Sequence, residues 1–532
     1  MAQHLYAAAL AVGLLVFFVV YPVVQYFRDP KGLRRFHNMS TFSGISSLPF
    51  MILAHKGFRS KRLEELHRKH PVIRTGPNSL SYGDVRAIKD IYGHNTKCTK
   101  DDAYVLTAGT HFHLADVIDK GDHARKRKVL SSAYAIKNLE NWEHKVADKT
   151  ERLIAQFDRR CTAPLPAGHN PTPEDLTVDY RAWTNFFTLD AIADIGLSER
   201  LSFLDQGSDR CLAQRGDGST YEVNFRDCLY ETAHKQSLLL WNYDWYPVIN
   251  RLTNIIPFYG RMGRLARDWD GVVLRRATER LKRYQAGEKL DDFFQALMED
   301  KNAHPNNLEW GEIVAEVGIM LNAGSATTAI AMANVMHQLL KPEHRRILQQ
   351  LREEIDAVLD DDDIIAPYDK VKHLPYLRAC LDESLRLFPP TPQGLGRKIP
   401  TEGMYVLGDF IPGGTSVSVS AYVAHRQESA FPQGDKFIPE RWLGEQGKAL
   451  QPYFLAFSAG ARGCIGRNIS YLEQMVLLAS LLHRYEFALP RGDWEIGRLE
   501  TMNLLLGEMP VKVWRRQLAK ENYEGTAPMV YE

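Results

Sequence analysis

Charge of neither sign is in excess: 66 Lys and Arg stand against 65 Asp and Glu, a formal charge of +1 over 532 residues. That balance removes the broad basic field on which nucleic-acid binding depends. Cysteine is scarce too. The six, Cys98, Cys161, Cys211, Cys228, Cys380 and Cys464, have neither zinc-type Cys-x-x-Cys spacing nor the density of a secreted disulfide scaffold, which fits a reducing compartment. One long apolar run stands near the N-terminus. Leu5 to Val24 has almost no strongly polar side chain, and it is long enough to cross a bilayer core of about 30 Å as a helix. No basic segment precedes it, which argues against a cleaved secretory signal. Arg28, Lys31, Arg34 and Arg35 come directly after it, so the positive-inside rule puts the remainder of the chain on the cytoplasmic side. The expectation is a lipid-bilayer anchor over 1–27 and a large cytoplasmic domain over 28–532.

Along that domain, 71–84 reads as a short hairpin around the Gly76-Pro77-Asn78 turn. From about 115 the pattern turns mainly helical. Cys161 to Thr177, with four prolines, reads as a surface connection, and Asp205 to Thr220 as an inserted loop. An aromatic cluster comes next at Trp241, Tyr243, Trp245 and Tyr246. Leu308 to Leu340 is a helix whose middle, Leu321-Asn322-Ala323-Gly324-Ser325-Ala326-Thr327-Thr328, is small and rich in hydroxyls. Such a composition weakens a helix, and small residues there imply that something large passes close by. Pro375 opens a helix that puts Glu383 and Arg386 on one face. Met404 to Tyr422 alternates as strands do, interrupted at Pro412-Gly413-Gly414.

The most informative stretch is Phe457-Ser458-Ala459-Gly460-Ala461-Arg462-Gly463-Cys464-Ile465-Gly466, which sets one cysteine among turn glycines just before an apolar helix, Ile465 to Leu482. A thiolate that ligates iron needs a loop that holds the sulfur still, offers backbone N–H groups and keeps water away. Gly460 and Gly463 permit tight turns, Gly466 permits close approach of a flat cofactor, Phe457 can wall off the sulfur, and Arg462 can pair with a propionate. Cys464 therefore reads as a haem ligand. At average residue frequencies the five fixed positions coincide by chance in roughly one chain in ten thousand.

The pattern Phe-x-x-Gly-x-Arg-x-Cys-x-Gly resembles the cysteine-ligand loop of the cytochrome P450 family, and the other motifs occur in the family's order across nearly the whole chain. The resemblance implies a mainly α fold with small β-sheets (α+β), haem b with Cys464 as the axial thiolate, and NADPH used through a separate membrane-bound NADPH–cytochrome P450 reductase. It is most similar to the microsomal, endoplasmic-reticulum branch, filamentous-fungal members included. His123 and Arg127 match the family's propionate-binding pair, and Arg397 is a further propionate candidate. Glu383, Arg386 and Arg441 match its Glu-Arg-Arg scaffold network. The stretch around Gly324 resembles the oxygen groove, with Thr327 as the principal hydroxyl and Ser325 and Thr328 as auxiliaries, but Ala326 stands where an acid is usual. Tyr104, Val105, Asn322, Ala323, Thr391, Gln393 and Leu505 match substrate-pocket positions, a mixed wall with no fixed cation. Arg125, Lys126 and Lys128 are candidates for docking the reductase.

The expected activity is haem-thiolate monooxygenation of a small apolar or aromatic substrate, in the manner of fungal specialised metabolism. Alternatives are oxidative coupling or desaturation on the same fold, a reductase-independent peroxide isomerase or dehydratase, and a haem sensor. An intact groove threonine, Thr327, argues against the isomerase.

Overall fold

The computed structural model describes residues 2–131, 133–134, 139–240 and 243–517; Trp241 of the aromatic cluster lies outside them. Helices dominate, with five small sheets around them. The helix Trp310–Leu339 is apolar on nearly every face, which suits burial in a large core. It packs along Tyr180–Leu197, itself almost wholly buried. Asp179 caps that second helix by accepting from the Ala182 N–H. Glycine sets how close the two approach. A Cβ on Gly196 would lie 2.4 Å from the Met320 sulfur, and one on Gly324 would lie 2.5 Å from Ile192 Cγ1.

The largest sheet runs His37–Asn38, Val72–Gly76, Ser79–Tyr82, Ser416–Val419, Arg397–Lys398, Thr99–Lys100 in spatial order. Val72–Gly76 and Ser79–Tyr82 form the expected hairpin. At the far edge Lys100 is paired with Arg397, two cations side by side. One expectation from the sequence is corrected. The stretch read as an inserted loop carries a hairpin, Arg210–Gln214 with Thr220–Asn224; it lies on the helix Pro257–Gln285, where Tyr221 donates to Asp268 at 2.8 Å. Near the C-terminus Leu505 lies within a strand, Leu504–Leu506 paired with Arg498–Glu500, and the tip is Thr501-Met502-Asn503. Sequence alternation is too short there to show where the chain reverses.

At the N-terminus Ala2–Leu15, a π-helical turn Val16–Val20 and Tyr21–Arg28 succeed one another. Ala8–Arg28 has a mean hydropathy of 2.3 and no buried residue, so it is long and apolar enough to cross a membrane. Phe17 and Phe18 touch Trp245, with ring centroids 5.7 and 5.3 Å away.

Beside the cysteine loop the helix Pro375–Leu387 carries Glu383, which is fully buried. Its two oxygens accept from Arg386 Nε and Nη2 at 2.8 Å each, Arg441 Nε at 3.1 Å, Trp442 Nε1 at 2.8 Å and the Ile438 N–H at 2.8 Å. Arg386 also donates to the carbonyls of His425, Gly434 and Lys436. The network reaches the loop through aromatic contacts and His425. Trp442 packs edge-on against Phe454, which stacks on His425, and His425 Nε2 accepts from the Leu455 N–H at 2.8 Å. Replacing Glu383 with Ala would leave two guanidinium groups buried beside no carboxylate, a loss of about 3–5 kcal/mol. We expect Glu383→Ala to lower the denaturant midpoint accordingly and to impair cofactor retention, measured by chemical unfolding and by absorbance.

Candidate functional site

The cysteine loop is shaped by backbone constraints. Gly460 has φ +65°, and a Cβ there would lie 2.0 Å from the Tyr92 carbonyl oxygen, so only glycine fits. Ser458 also takes a left-handed conformation, with φ +57°. The Cys464 N–H donates to the Phe457 carbonyl at 2.9 Å, closing the loop. Phe457 packs on Tyr471, at 5.1 Å between centroids, and on Phe454. The sulfur stands at the start of the helix Arg467–Arg484, where backbone N–H groups have no helical partner and favour an anion. Burial pushes the Cys464 thiol up, opposed by the N–H groups of Gly466 and Arg467 and by the charges of Arg127 and Arg467. The thiol nevertheless remains accessible. A Cβ on Gly466 would meet only Tyr134, at 3.9 Å, so protein packing alone does not demand glycine there.

The long helix is joined to this loop region by the Thr328 and Ser470 hydroxyls, 2.9 Å apart. Its face carrying Ala323 and Thr327 stays accessible where most of the helix is covered. Thr327 Oγ1 donates to the Ala323 carbonyl at 2.9 Å, which turns its lone pairs outward. The other groove candidates point elsewhere. Ser325 is buried and donates back to the Leu321 carbonyl at 2.7 Å, Thr328 is committed to Ser470, and Gly324 faces Ile192. Only Thr327 of the expected hydroxyls is placed to act, because successive residues on a helix are turned about 100° apart. Ala326 is 1% exposed, so an acid in its place would be buried.

Five basic groups gather to one side. Arg127 donates to the Gly463 carbonyl at 2.8 Å, Arg462 to those of Val117 and Ile118 at 2.8 and 2.9 Å, and Arg397 to that of Gly396 at 3.0 Å while lying over the Tyr92 ring. Lys100, 5% exposed, donates to the Leu114 and Ala115 carbonyls. Burial, then Arg462 and Arg397, depress it to about 7. His123 is lowered to about 3, by burial first and then by Arg462, Lys100, Arg127 and Arg397. Among the described residues Lys100, Arg127, Arg397 and Arg462 form no salt bridge. Asp116 and Glu316 act on Lys100, and Asp119 on Arg462, only at longer range; cations held by carbonyls and paired directly with no carboxylate fit a dianionic ligand, and the two propionates of haem are such a ligand.

The cytochrome P450 family model matches residues 50–514. The chain belongs to the cytochrome P450 family. It is similar to benzoate 4-monooxygenase bphA of Aspergillus niger, 26% identical over 91% of this chain and 92% of that one. It is also similar to cytochrome P450 monooxygenase astJ of Aspergillus oryzae, 30% identical over 86% and 88%, and to cytochrome P450 monooxygenase atr2 of Stereocaulon alpinum, 29% identical over 85% of each. A crystallised cytochrome P450 superposes with a TM-score of 0.66 over 88% of this chain and 96% of its own, at 21% identity, a likeness of fold.

As a P450, the protein is a monooxygenase-family enzyme whose family implies haem with thiolate-ligated iron, and Cys464 with the basic cluster fits that group. Lys100 carries no signal along the chain, because its partner in the sheet, Arg397, is remote from it. The expected docking patch is also revised. Lys126 is buried and bonded to Glu312 and Glu316; Arg125, though exposed, is held by Glu312 and Asp122 at 2.5 and 2.7 Å, which leaves Lys128 as the exposed cation without such a pairing among the described residues. Of the pocket candidates, Val105 and Ala323 are exposed; Tyr104, Asn322, Thr391 and Leu505 are half-buried; Gln393 is buried. If Lys100 helps hold the propionates, Lys100→Met should speed haem loss on the order of tenfold, the value of one charge-assisted hydrogen bond; transfer to an apo-globin acceptor measures it.

Proposed function

We propose that this P450 is a reductase-dependent monooxygenase that hydroxylates a small apolar or aromatic substrate, of the kind used in fungal specialised metabolism, while anchored in the endoplasmic-reticulum membrane. The observation that carries the reading is the pairing of an accessible Cys464 thiol, at a helix N-terminus, with Thr327 on the open face of the long helix. Haem on a thiolate supplies reductive activation of dioxygen, the thiolate favouring O–O cleavage.

The chain's own residues do the rest. The Gly466 and Arg467 N–H groups stabilise negative charge on the sulfur, which restrains how strongly it donates. Phe457, packed on Tyr471, stiffens the loop that carries it. His123, neutral at physiological pH, is a donor for a carboxylate, and the surrounding cations neutralise that charge. Thr327 keeps its proton on the Ala323 carbonyl and offers lone pairs, so it can accept a hydrogen bond from a water and fix that water beside the reaction site.

The similarity to benzoate 4-monooxygenase supports an aromatic substrate. Membrane attachment is supported by the exposed Ala8–Arg28 helix against Trp245 and by the exposed Leu252, Ile255 and Phe258 nearby in the chain; such a patch favours a lipid surface. Electrons would come from NADPH through a separate membrane-bound reductase, for which Lys128 is the remaining candidate contact among the three lysine and arginine side chains named for it.

The deciding experiment is the reduced carbon-monoxide difference spectrum together with NADPH oxidation by a microsomal reductase. A thiolate-type Soret band and substrate-dependent NADPH use are expected, and folded haem protein lacking that band would overturn the reading. Thr327→Ala should keep the band but lower product formed per NADPH by roughly threefold or more, with the difference released as peroxide or water. Unchanged coupling would remove Thr327 from its role.

A further inference from the structure

Beside Thr391 and Gln393, two of the substrate-pocket candidates, lies a set of polar groups for which the reaction has no use. Arg59, at the start of the helix Arg59–His67, is 1% exposed and pairs with Glu500 at 3.0 Å. Glu500 also accepts from the Ser60 N–H at 2.8 Å. The same guanidinium donates to Gln393 Oε1 and to the Thr501 carbonyl at 3.4 Å. Guanidinium groups only donate, so Gln393 must turn its carbonyl to Arg59 and its NH2 away.

That NH2 carries two N–H groups. Among the described residues its partner is the Met502 sulfur at 3.3 Å, a weak acceptor. Beside it the Thr391 hydroxyl donates to Asn503 Oδ1 at 3.2 Å, which turns a second amide NH2 outward; Asn503 Nδ2 donates to no described residue. Gln393 is 6% exposed, so bulk water is a poor substitute for an acceptor. Tyr243, which bonds Asp101, lies close enough to Arg59 to act on its charge. The rim therefore offers oriented donors, and its one buried cation is already matched by Glu500.

We propose that Gln393 Nε2, oriented by Arg59 and flanked by Asn503 Nδ2, recognises an sp2 oxygen of the substrate, so that the pocket selects aromatic compounds bearing a carboxylate or a carbonyl. The assignment rests on the monooxygenase reading of the same pocket. Gln393 is the specificity-determining residue, and Arg59 is a positioning residue that fixes which end of the amide faces the substrate.

The test uses the haem-loaded full chain and three probes on one ring system: 2-naphthoic acid, methyl 2-naphthyl ketone and 2-ethylnaphthalene. Spectral dissociation constants are measured for the wild type, Gln393→Leu and Gln393→Glu, each first checked for the thiolate carbon-monoxide band. In the wild type the acid or the ketone should bind about fivefold to tenfold tighter than the hydrocarbon, the value of one hydrogen bond. Whichever oxygen compound binds tighter tells carboxylate from carbonyl recognition. Gln393→Leu should abolish the preference and leave hydrocarbon affinity within about twofold, while Gln393→Glu, which replaces donors by an acceptor, should weaken the acid most. A wild type that binds the hydrocarbon as tightly as both oxygen compounds, a preference that survives in Gln393→Leu, or no response to any probe in protein with the carbon-monoxide band each overturns the assignment. Loss of that band in the wild type instead overturns the monooxygenase reading beneath it.

Discussion

A sulfur anion that must sit in an apolar interior without being protonated is the constraint on which most of this fold depends. Burial raises the Cys464 thiol, and a few backbone N–H groups at one helix end oppose it. Those N–H groups help only if they are held still, because a donor that drifts by an ångström loses most of its effect. The loop is therefore pinned from several directions: by Gly460 against the Tyr92 carbonyl, by Arg127 on the Gly463 carbonyl and by the aromatic chain from Trp442 through Phe454 to Phe457. Glu383 anchors that chain. Its role is geometric, since a buried ion pair contributes little net stability over apolar packing but severely penalises the structure when broken.

The same economy of local stiffness explains the cations. Lys100, Arg127, Arg397 and Arg462 each donate to main-chain carbonyls, so each side chain is fixed before any anion arrives. Burial first, and then the neighbouring charges of Arg462 and Arg397, depress Lys100 to about 7, so a cation held there is unfavourable. A dianion relieves that repulsion, so its binding stabilises the folded state.

Legibility in the chain alone divides along the range of the interactions. The cysteine loop is local: ten consecutive residues carry the ligand, its turns and the helix behind it. Glu383 and Arg386 are three residues apart, so the core of the scaffold network is also visible. Residue spacing puts His123 and Arg127 on one helix face but does not reveal the burial of Lys126, which lies on the flank of that helix turned to Glu312 and Glu316. A charged side chain looks solvated until its partners on another helix are known. Gly324 departs from its expected role for a similar reason. Its absent side chain makes room for Ile192, a contact between two helices that no pattern within either one reveals. The pairing of Lys100 with Arg397, and of Arg59 with Gln393, depends on strand order and loop placement.

Ala326 gains meaning from the same helix geometry. The open face of the long helix is formed by Ala323 and Thr327, one turn apart, whereas Ala326 lies on the covered side. An acid there would reach the reaction site only by bending back around the helix or by displacing packed neighbours. A chain that keeps alanine at this place avoids burying a carboxylate, whose desolvation is costly without a partner. Proton supply must then run along the face that is open. On it, the hydroxyl of Thr327 donates its hydrogen bond to the Ala323 carbonyl and retains acceptor capacity. In the proposed monooxygenase, such a hydroxyl can order water by accepting, and that water can then serve as the proton donor that Ala326 does not supply. That arrangement makes proton delivery depend on how much water the substrate leaves in the pocket, which ties coupling of the reaction to the fit of the substrate itself.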